Sequence, residues 1–102
     1  MSTRFADSED IKAEIRRRDQ SLTTLSRGLG FTASAISRRF TMDRAWPLLD
    51  ERLADFLGTT KRELFPKHYD RHDRPIGIVR RQNTTRPFDP RLCPNLARKL
   101  AA

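Results

Sequence analysis

The run from Ser21 to Phe40, SLTTLSRGLGFTASAISRRF, limits what this chain can fold into more than any other part of it. Leu22, Leu25, Ser26 and Leu29 fall at i, i+3, i+4 and i+7, which puts them on one face of a helix. Ser21 stands where an N-cap belongs and can offer its hydroxyl oxygen to the open amides of the first turn. Gly30 is placed to end that helix, because the residue after a helix often takes positive φ and glycine does so without steric cost. Thr32 can cap a second helix in which Ala33, Ile36 and Phe40 share the inward face. Ser26 is small where two such helices would cross closely. The pattern is a helix-turn-helix. Gly28 fits it least, since glycine inside a helix costs roughly 1 kcal/mol relative to alanine. Tight packing or early fraying are the two readings open to it.

At about 100° per residue, the outward face of the second helix is centred near Ser34 and Arg38. Ala35 and Thr41 lie beside it, with Ser37 and Arg39 on the flanks. Small side chains there give access to base edges, and arginine can grip guanine O6 and N7 with two hydrogen bonds. A leucine-rich αα-hairpin with no ligand is the plainer reading, but arginines rather than glutamates occupy the exposed face. The expectation is a helix over about 32–41 lying in the major groove of double-stranded DNA.

The flanking segments read as supporting helices. Asp7 or Ser8 can start a first helix with Ile11 and Ile15 inward, ending in Arg16, Arg17 and Arg18 before a break at Asp19–Gln20. That arginine run either touches phosphate or complements the negative end of its own helix. Pro47 suits the first position of a fourth helix that runs to Leu57 and stops at Gly58, with Leu49, Leu53, Phe56 and Leu57 as its buried stripe. Trp46 is expected in the core. Thr60 and Glu63 have capping-box spacing, which predicts a short fifth helix over Lys61–Phe65, ended by Pro66. Leu64, Phe65 and Tyr69 should close the core. The predicted domain is therefore all-α, five helices over residues 7–70, preceded by a flexible arm at 1–6.

Charge separates this unit from the remainder of the chain. Residues 1–70 carry 13 basic and 11 acidic side chains, whereas 71–102 carry 8 and 2, so most of the net +8 lies in the second stretch. Four prolines interrupt it, and its apolar residues are scattered. It reads as a basic, largely disordered tail, with a brief extended segment at Ile76–Val79 and one or two helical turns after Asn95. Such a tail would add affinity along the DNA backbone rather than specificity. No apolar run approaches the roughly 18 residues of a bilayer span, and residues 1–10 lack the apolar core of a signal peptide. With one cysteine, Cys93, no internal disulfide can form. His68 and His72 stand four apart, but Pro66 and Pro75 bracket them and no further ligand cluster supports a metal site. No phosphate-binding glycine loop or nucleophile motif is present. The sequence thus points to a cytoplasmic, nucleoid-associated protein without enzymatic activity, cofactor, membrane partner or small-molecule ligand.

The stretch Ile11–Tyr69 resembles the Ner family, the small helix-turn-helix proteins of transposable phages such as Mu, together with the Ner-like (Nlp) regulators of bacteria. SLTTLSRGLGF, AISRRF, WPLLDERLADFLG and above all TTKRELFPKHY carry the resemblance, over about 60 of the 102 residues. It implies a five-helix fold similar to the DNA-binding domain of λ repressor, and a transcriptional regulator that is a repressor in the phages. Carried over by position, it implies DNA contacts from Thr32, Ala33, Ser34, Ser37, Arg38 and Thr41. Arg39, Arg27 and Arg44 complete the candidate set. Two stretches depart from the family pattern: the link from Phe40 to Trp46 is longer, and the basic tail is an addition.

The residues support two functions from different classes. The first is a sequence-specific DNA-binding regulator that pairs with a second copy on DNA, since one such unit reads only a few base pairs. The alternative is a protein-interaction adaptor, antitoxin-like or concerned with phage assembly, with Leu92, Leu96 and Leu100 of the tail anchoring a partner.

Overall fold

Six helices run through the residues that the computed structural model describes, 8–79 and 87–101: α1 (Ser8–Arg17), α2 (Leu22–Gly28), α3 (Ala35–Thr41), α4 (Pro47–Leu57), α5 (Lys61–Leu64) and α6 (Pro94–Ala101). No strand occurs among these residues. β pairing is confined to two isolated bridges, Ala45 to Val79 and Tyr69 to Pro75. The expected arm at 1–6 lies outside the described residues.

Local chemistry sets most boundaries. Ser21 Oγ accepts from the Thr24 amide at 3.0 Å and starts α2. Gly30, at φ 92°, turns the chain away after it. Thr60 Oγ1 accepts from the Glu63 amide at 3.2 Å and starts α5, while the Glu63 carboxylate bonds to the Thr59 hydroxyl. Asp19 takes the left-handed conformation, φ 58°, in the turn that ends α1, a position where aspartate is better tolerated than most residues. Ile11, Ile15, Leu25, Leu29, Ile36, Leu49, Leu53 and Leu57 meet in one core, with Trp46 packed edge-on against Phe31 at 5.4 Å between ring centroids. Leaving one such leucine exposed instead would forfeit roughly 1.5–3 kcal/mol.

One of the three arginines at the end of α1 is used internally. Arg18 Nη1 and Nη2 donate to the carbonyls of Phe56 and Leu57, at 3.1 and 3.4 Å, which are open acceptors at the end of α4. Arg18 also hydrogen-bonds Glu14, the largest of the effects that hold this carboxyl below the usual range, and Arg17 pairs with the same group. Arg18 is committed to the end of α4, while Arg17 stays largely exposed.

One sequence expectation fails here. Five helices lie within residues 7–70 as expected, but a sixth follows in the tail, and much of the predicted loose tail is packed onto the domain. Cys93 is fully buried, and its thiol donates to the Arg52 carbonyl at 3.3 Å. Burial is the main cause that pushes that thiol up to about 12. The Leu96 amide donates to Asp55 Oδ2 at 3.1 Å, which fixes the start of α6 on α4. Phe88, Leu92 and Leu96 pack against the core. Leu92 and Leu96 are therefore partly covered by the fold itself rather than standing free for a protein partner. The side chain of Leu100 lies outside the described residues.

This packing explains Gly28. The Asp89 amide donates to the Gly28 carbonyl at 2.6 Å, and a Cβ added at Gly28 would overlap Leu92 Cδ1. Arg52 holds the same corner together. Its Nη1 donates to the Leu29 carbonyl at 2.7 Å, and its guanidinium lies 5.5 Å from the Phe31 ring centre and 5.1 Å from that of Phe88.

Gly28→Ala should therefore gain less than the roughly 1 kcal/mol that helix propensity offers, and should gain it in full when combined with Leu92→Ala. Denaturant melts of both single variants and the pair measure the coupling. Strict additivity would mean that Leu92 does not confine position 28.

Candidate nucleic-acid interface

α3 is held from two directions. Behind its first turn lies Ser26 of α2, fully buried. Ser26 Oγ donates to the Leu22 carbonyl at 2.6 Å and accepts from the Ile36 amide at 3.2 Å. Ser34, the N-cap of α3, gives no side-chain cap, so a hydroxyl from the neighbouring helix satisfies one of the open amides. The small residue at the crossing thus fixes both the distance and the register of α2 against α3.

The second hold is a buried polar cluster. Arg39 is 1% exposed and Asp50 of α4 is 0% exposed. Arg39 Nε lies 2.6 Å from Asp50 Oδ1, and Nη2 lies 3.0 Å from Oδ2, a two-bond pairing. The Trp46 amide and the Tyr69 hydroxyl both donate to Asp50 Oδ2, at 3.2 and 2.5 Å. Arg39 Nη2 also lies 3.0 Å from His68 Nδ1. A guanidinium has no acceptor, so Nδ1 accepts and the neutral ring carries its proton on Nε2, which stands 3.8 Å from Asp43 Oδ1. The guanidinium lies 3.7 Å from the Phe65 ring centre. Both carboxylate oxygens of Asp50 and two of the three guanidinium nitrogens of Arg39 have partners, which makes two buried charges tenable.

Arg39 is therefore corrected from a groove-facing candidate to the internal anchor of α3. Counting the helix from Thr32 misplaced it, because α3 starts only at Ala35 and residues 32–34 belong to the turn. Ala35, expected beside the exposed face, is buried for the same reason. Thr32, Ser34, Ser37, Arg38 and Thr41 are exposed, and Ala33 is half-buried. Arg27 and Arg44 are exposed near either end of this segment. The Thr41 hydroxyl is already committed to the Arg38 carbonyl at 2.9 Å. Arg38 is left as the exposed cation of α3 itself. The sequence reading missed Asp50, His68 and Tyr69 as a group. An aspartate in the middle of the Leu49–Leu53–Leu57 stripe was the available signal.

The pattern of a family described as winged helix-turn-helix DNA-binding matches residues 6–82. A protein of Escherichia phage D108, described as a negative regulator of transcription, is 33% identical over 60 residues, which cover 59% of this chain and 80% of that protein. No solved structure matches the chain. In the described residues any wing is reduced to the loop over 69–79 and its bridges.

Three outcomes are expected. Ser26→Ala should destabilise by about 1–3 kcal/mol, since it orphans the buried Ile36 amide. Asp50→Asn should be the more damaging change, roughly 3–5 kcal/mol, because it leaves Arg39 buried without its counter-charge. Tyr69 is the chain's single tyrosine. Burial, with the charge and hydrogen bond of Asp50 behind it, raises its phenol well above the ordinary 10.0. A folded value above the unfolded one means that the associated stability is complete below pH 10.0 and declines as the pH rises past it. Tyrosinate absorbance should stay absent in the native protein above that pH and appear together with unfolding. A smooth titration near 10.0 without unfolding would mean that the phenol is not closed in.

Proposed function

Because this chain belongs to the winged helix-turn-helix DNA-binding family, we propose that it is a sequence-specific transcriptional regulator, a Ner-like repressor that lays α3 in the major groove. The observation that carries the reading is the split between two adjacent arginines. Arg39 is locked inward onto Asp50, and that lock holds Arg38 outward on a surface of Thr32, Ser34, Ser37 and Thr41. These neighbours are small enough to let a guanidinium reach a base edge. The phage relative's description as a negative regulator supports repression over activation.

In this reading Arg38 supplies base recognition, and Arg27 and Arg44 supply phosphate contacts that set the register on the duplex. The positive excess of residues 71–102 adds sequence-independent affinity through counterion release. Two copies occupy half-sites about one helical turn apart, since a single short helix covers too few base pairs for a unique operator. The protein acts where the DNA is, in the cytoplasm of a bacterial cell or phage-infected host. No helix among the described residues is long and apolar enough to cross a membrane.

Selection from a pool of random duplexes tests this reading. The full chain should enrich a motif, and Arg38→Ala should lose about 1–3 kcal/mol of affinity and relax one base pair of it. Arg27→Gln should weaken binding evenly across sequences and lower the salt slope by about one contact. An unchanged motif and affinity with Arg38→Ala would place recognition elsewhere.

A further inference from the structure

Two large apolar side chains are exposed among the described residues, Ile76 at 49% and Ile78 at 72%, and they stand in one loop. Scattered exposed isoleucines need no explanation, but the position of Ile78 does. It lines a surface depression of about 620 Å³ whose other walls are Arg38, Thr41, Met42, Asp43 and Arg44. Arg38 and Thr41 belong to the outer face of α3, and Arg44 to the link after it. An apolar side chain from a distant segment thus shares one recess with the cations assigned to DNA.

The main chain that carries Ile78 is fixed. Its carbonyl accepts from the Ala45 amide at 3.3 Å, and Val79 bridges Ala45 in parallel. The Ile76 amide donates to the His68 carbonyl at 2.8 Å, and Tyr69 bridges Pro75. Gly77 takes φ 72° between these anchors, a conformation suited to glycine. His68 and Tyr69 are the residues that close the Arg39–Asp50 cluster behind α3. The helix and the loop are therefore tied to the same points, and Ile78 keeps its place relative to Arg38 without needing to be ordered on binding.

We propose that Ile78 is a specificity-determining residue that contacts the C5-methyl group of a thymine next to the base pair read by Arg38. The proposal rests on the DNA-binding reading of α3 and extends it. DNA presents to this recess what its walls match: a base edge for Arg38, a phosphate for Arg44, and in the major groove an apolar methyl that distinguishes T·A from the other pairs. A second copy of the chain seated here is the competing occupant, and the paired-occupancy readout below separates the two.

The test is duplex selection by the full chain, with Ile78→Ala and Ile76→Ala in parallel and with thermal melts to verify folding. Both side chains are exposed, so both variants should melt close to the unsubstituted chain. Ile78→Ala is expected to lose preference for T at one position flanking the Arg38-dependent pair, by roughly three- to tenfold. Ile76→Ala should keep the motif. Replacing that thymine by uracil in the selected duplex should weaken the unsubstituted chain by a similar factor and leave Ile78→Ala unaffected. If the unsubstituted chain selects a motif and Ile78→Ala selects the same one equally well, the proposal fails while the DNA reading stands. Uniform weakening with loss of paired occupancy would also overturn it, and would assign Ile78 to contact between copies. If the unsubstituted chain enriches nothing, the DNA reading falls and takes this proposal with it.

Discussion

The pairing of Arg39 with Asp50 is the interaction on which the rest of this structure depends. Taking both charges out of water costs several kcal/mol per ion, and their attraction offsets this only when geometry and hydrogen bonds are complete. Completion here needs α3 for Arg39, α4 for Asp50 and the Trp46 amide, and the segment after α5 for His68 and Tyr69. No one of these can shift by much without leaving a buried charge short of a partner. An apolar core tolerates small slides between its helices, because one methyl contact replaces another. A two-bond carboxylate–guanidinium contact does not. The rotation of α3 about its own axis is therefore set by the ion pair, and the direction of Arg38 is set with it.

How far the sequence revealed this depends on the kind of interaction. Signals that act within a few residues were legible: the Ser21 and Thr60 caps, Pro47 at the head of α4, the turn at Gly30, and the stripes of α1, α2 and α4. What stayed hidden depends on partners far apart in the chain. Arg39 falls on the flank of the outward face when the helix is counted from Thr32, and its reason for burial lies eleven residues away at Asp50. Each of the two is out of place in its own helix, a base between Ile36 and Phe40 and an acid between Leu49 and Leu53. Two such misfits of opposite sign are the mark that a buried pair leaves in a sequence. The late helix was underread for a related reason. Phe88, Leu92, Cys93 and Leu96 are too few to suggest a core of their own, but the unexplained Gly28 was the gap that they fill.

The packed tail also alters how the charge of the chain is to be understood. As a loose basic arm it would have been free to run along the DNA backbone. Instead α6 lies against α4, and the segment before it closes on the end of α2 through Asp89 and Leu92. α2 is the helix that sets the height of α3 through Ser26. Those tail contacts use backbone and apolar groups, while some cations of the helical domain are spent internally, Arg39 first among them. Arg18, which caps α4, and Arg52, which holds the end of α2, are used in the same way. Counting positive charges therefore overstates the number available for phosphate, and the salt dependence of binding should reflect the smaller, exposed set.

On the proposed reading of α3 as the recognition helix, its short length gives this fixed orientation a use. Seven residues give two turns, and after Ala35, Ile36 and Arg39 turn inward only Ser37, Arg38 and Thr41 are exposed on the helix, with the Thr41 hydroxyl already bonded to its own helix. One arginine and two small side chains distinguish few base pairs. A recognition element this small can specify a site only by recruiting neighbours whose position relative to Arg38 does not vary. The turn at 32–34 is one such neighbour, fixed through the crossing at Ser26. The loop at 69–79 is another, fixed through His68 and Tyr69. Both are anchored to residues that also anchor α3, so on the proposed reading the surface that meets DNA is assembled from three separate stretches of chain held by shared contacts. Discrimination between base pairs arises from contacts that are present together or absent together, and a common set of buried hydrogen bonds is what lets separate segments behave in that way.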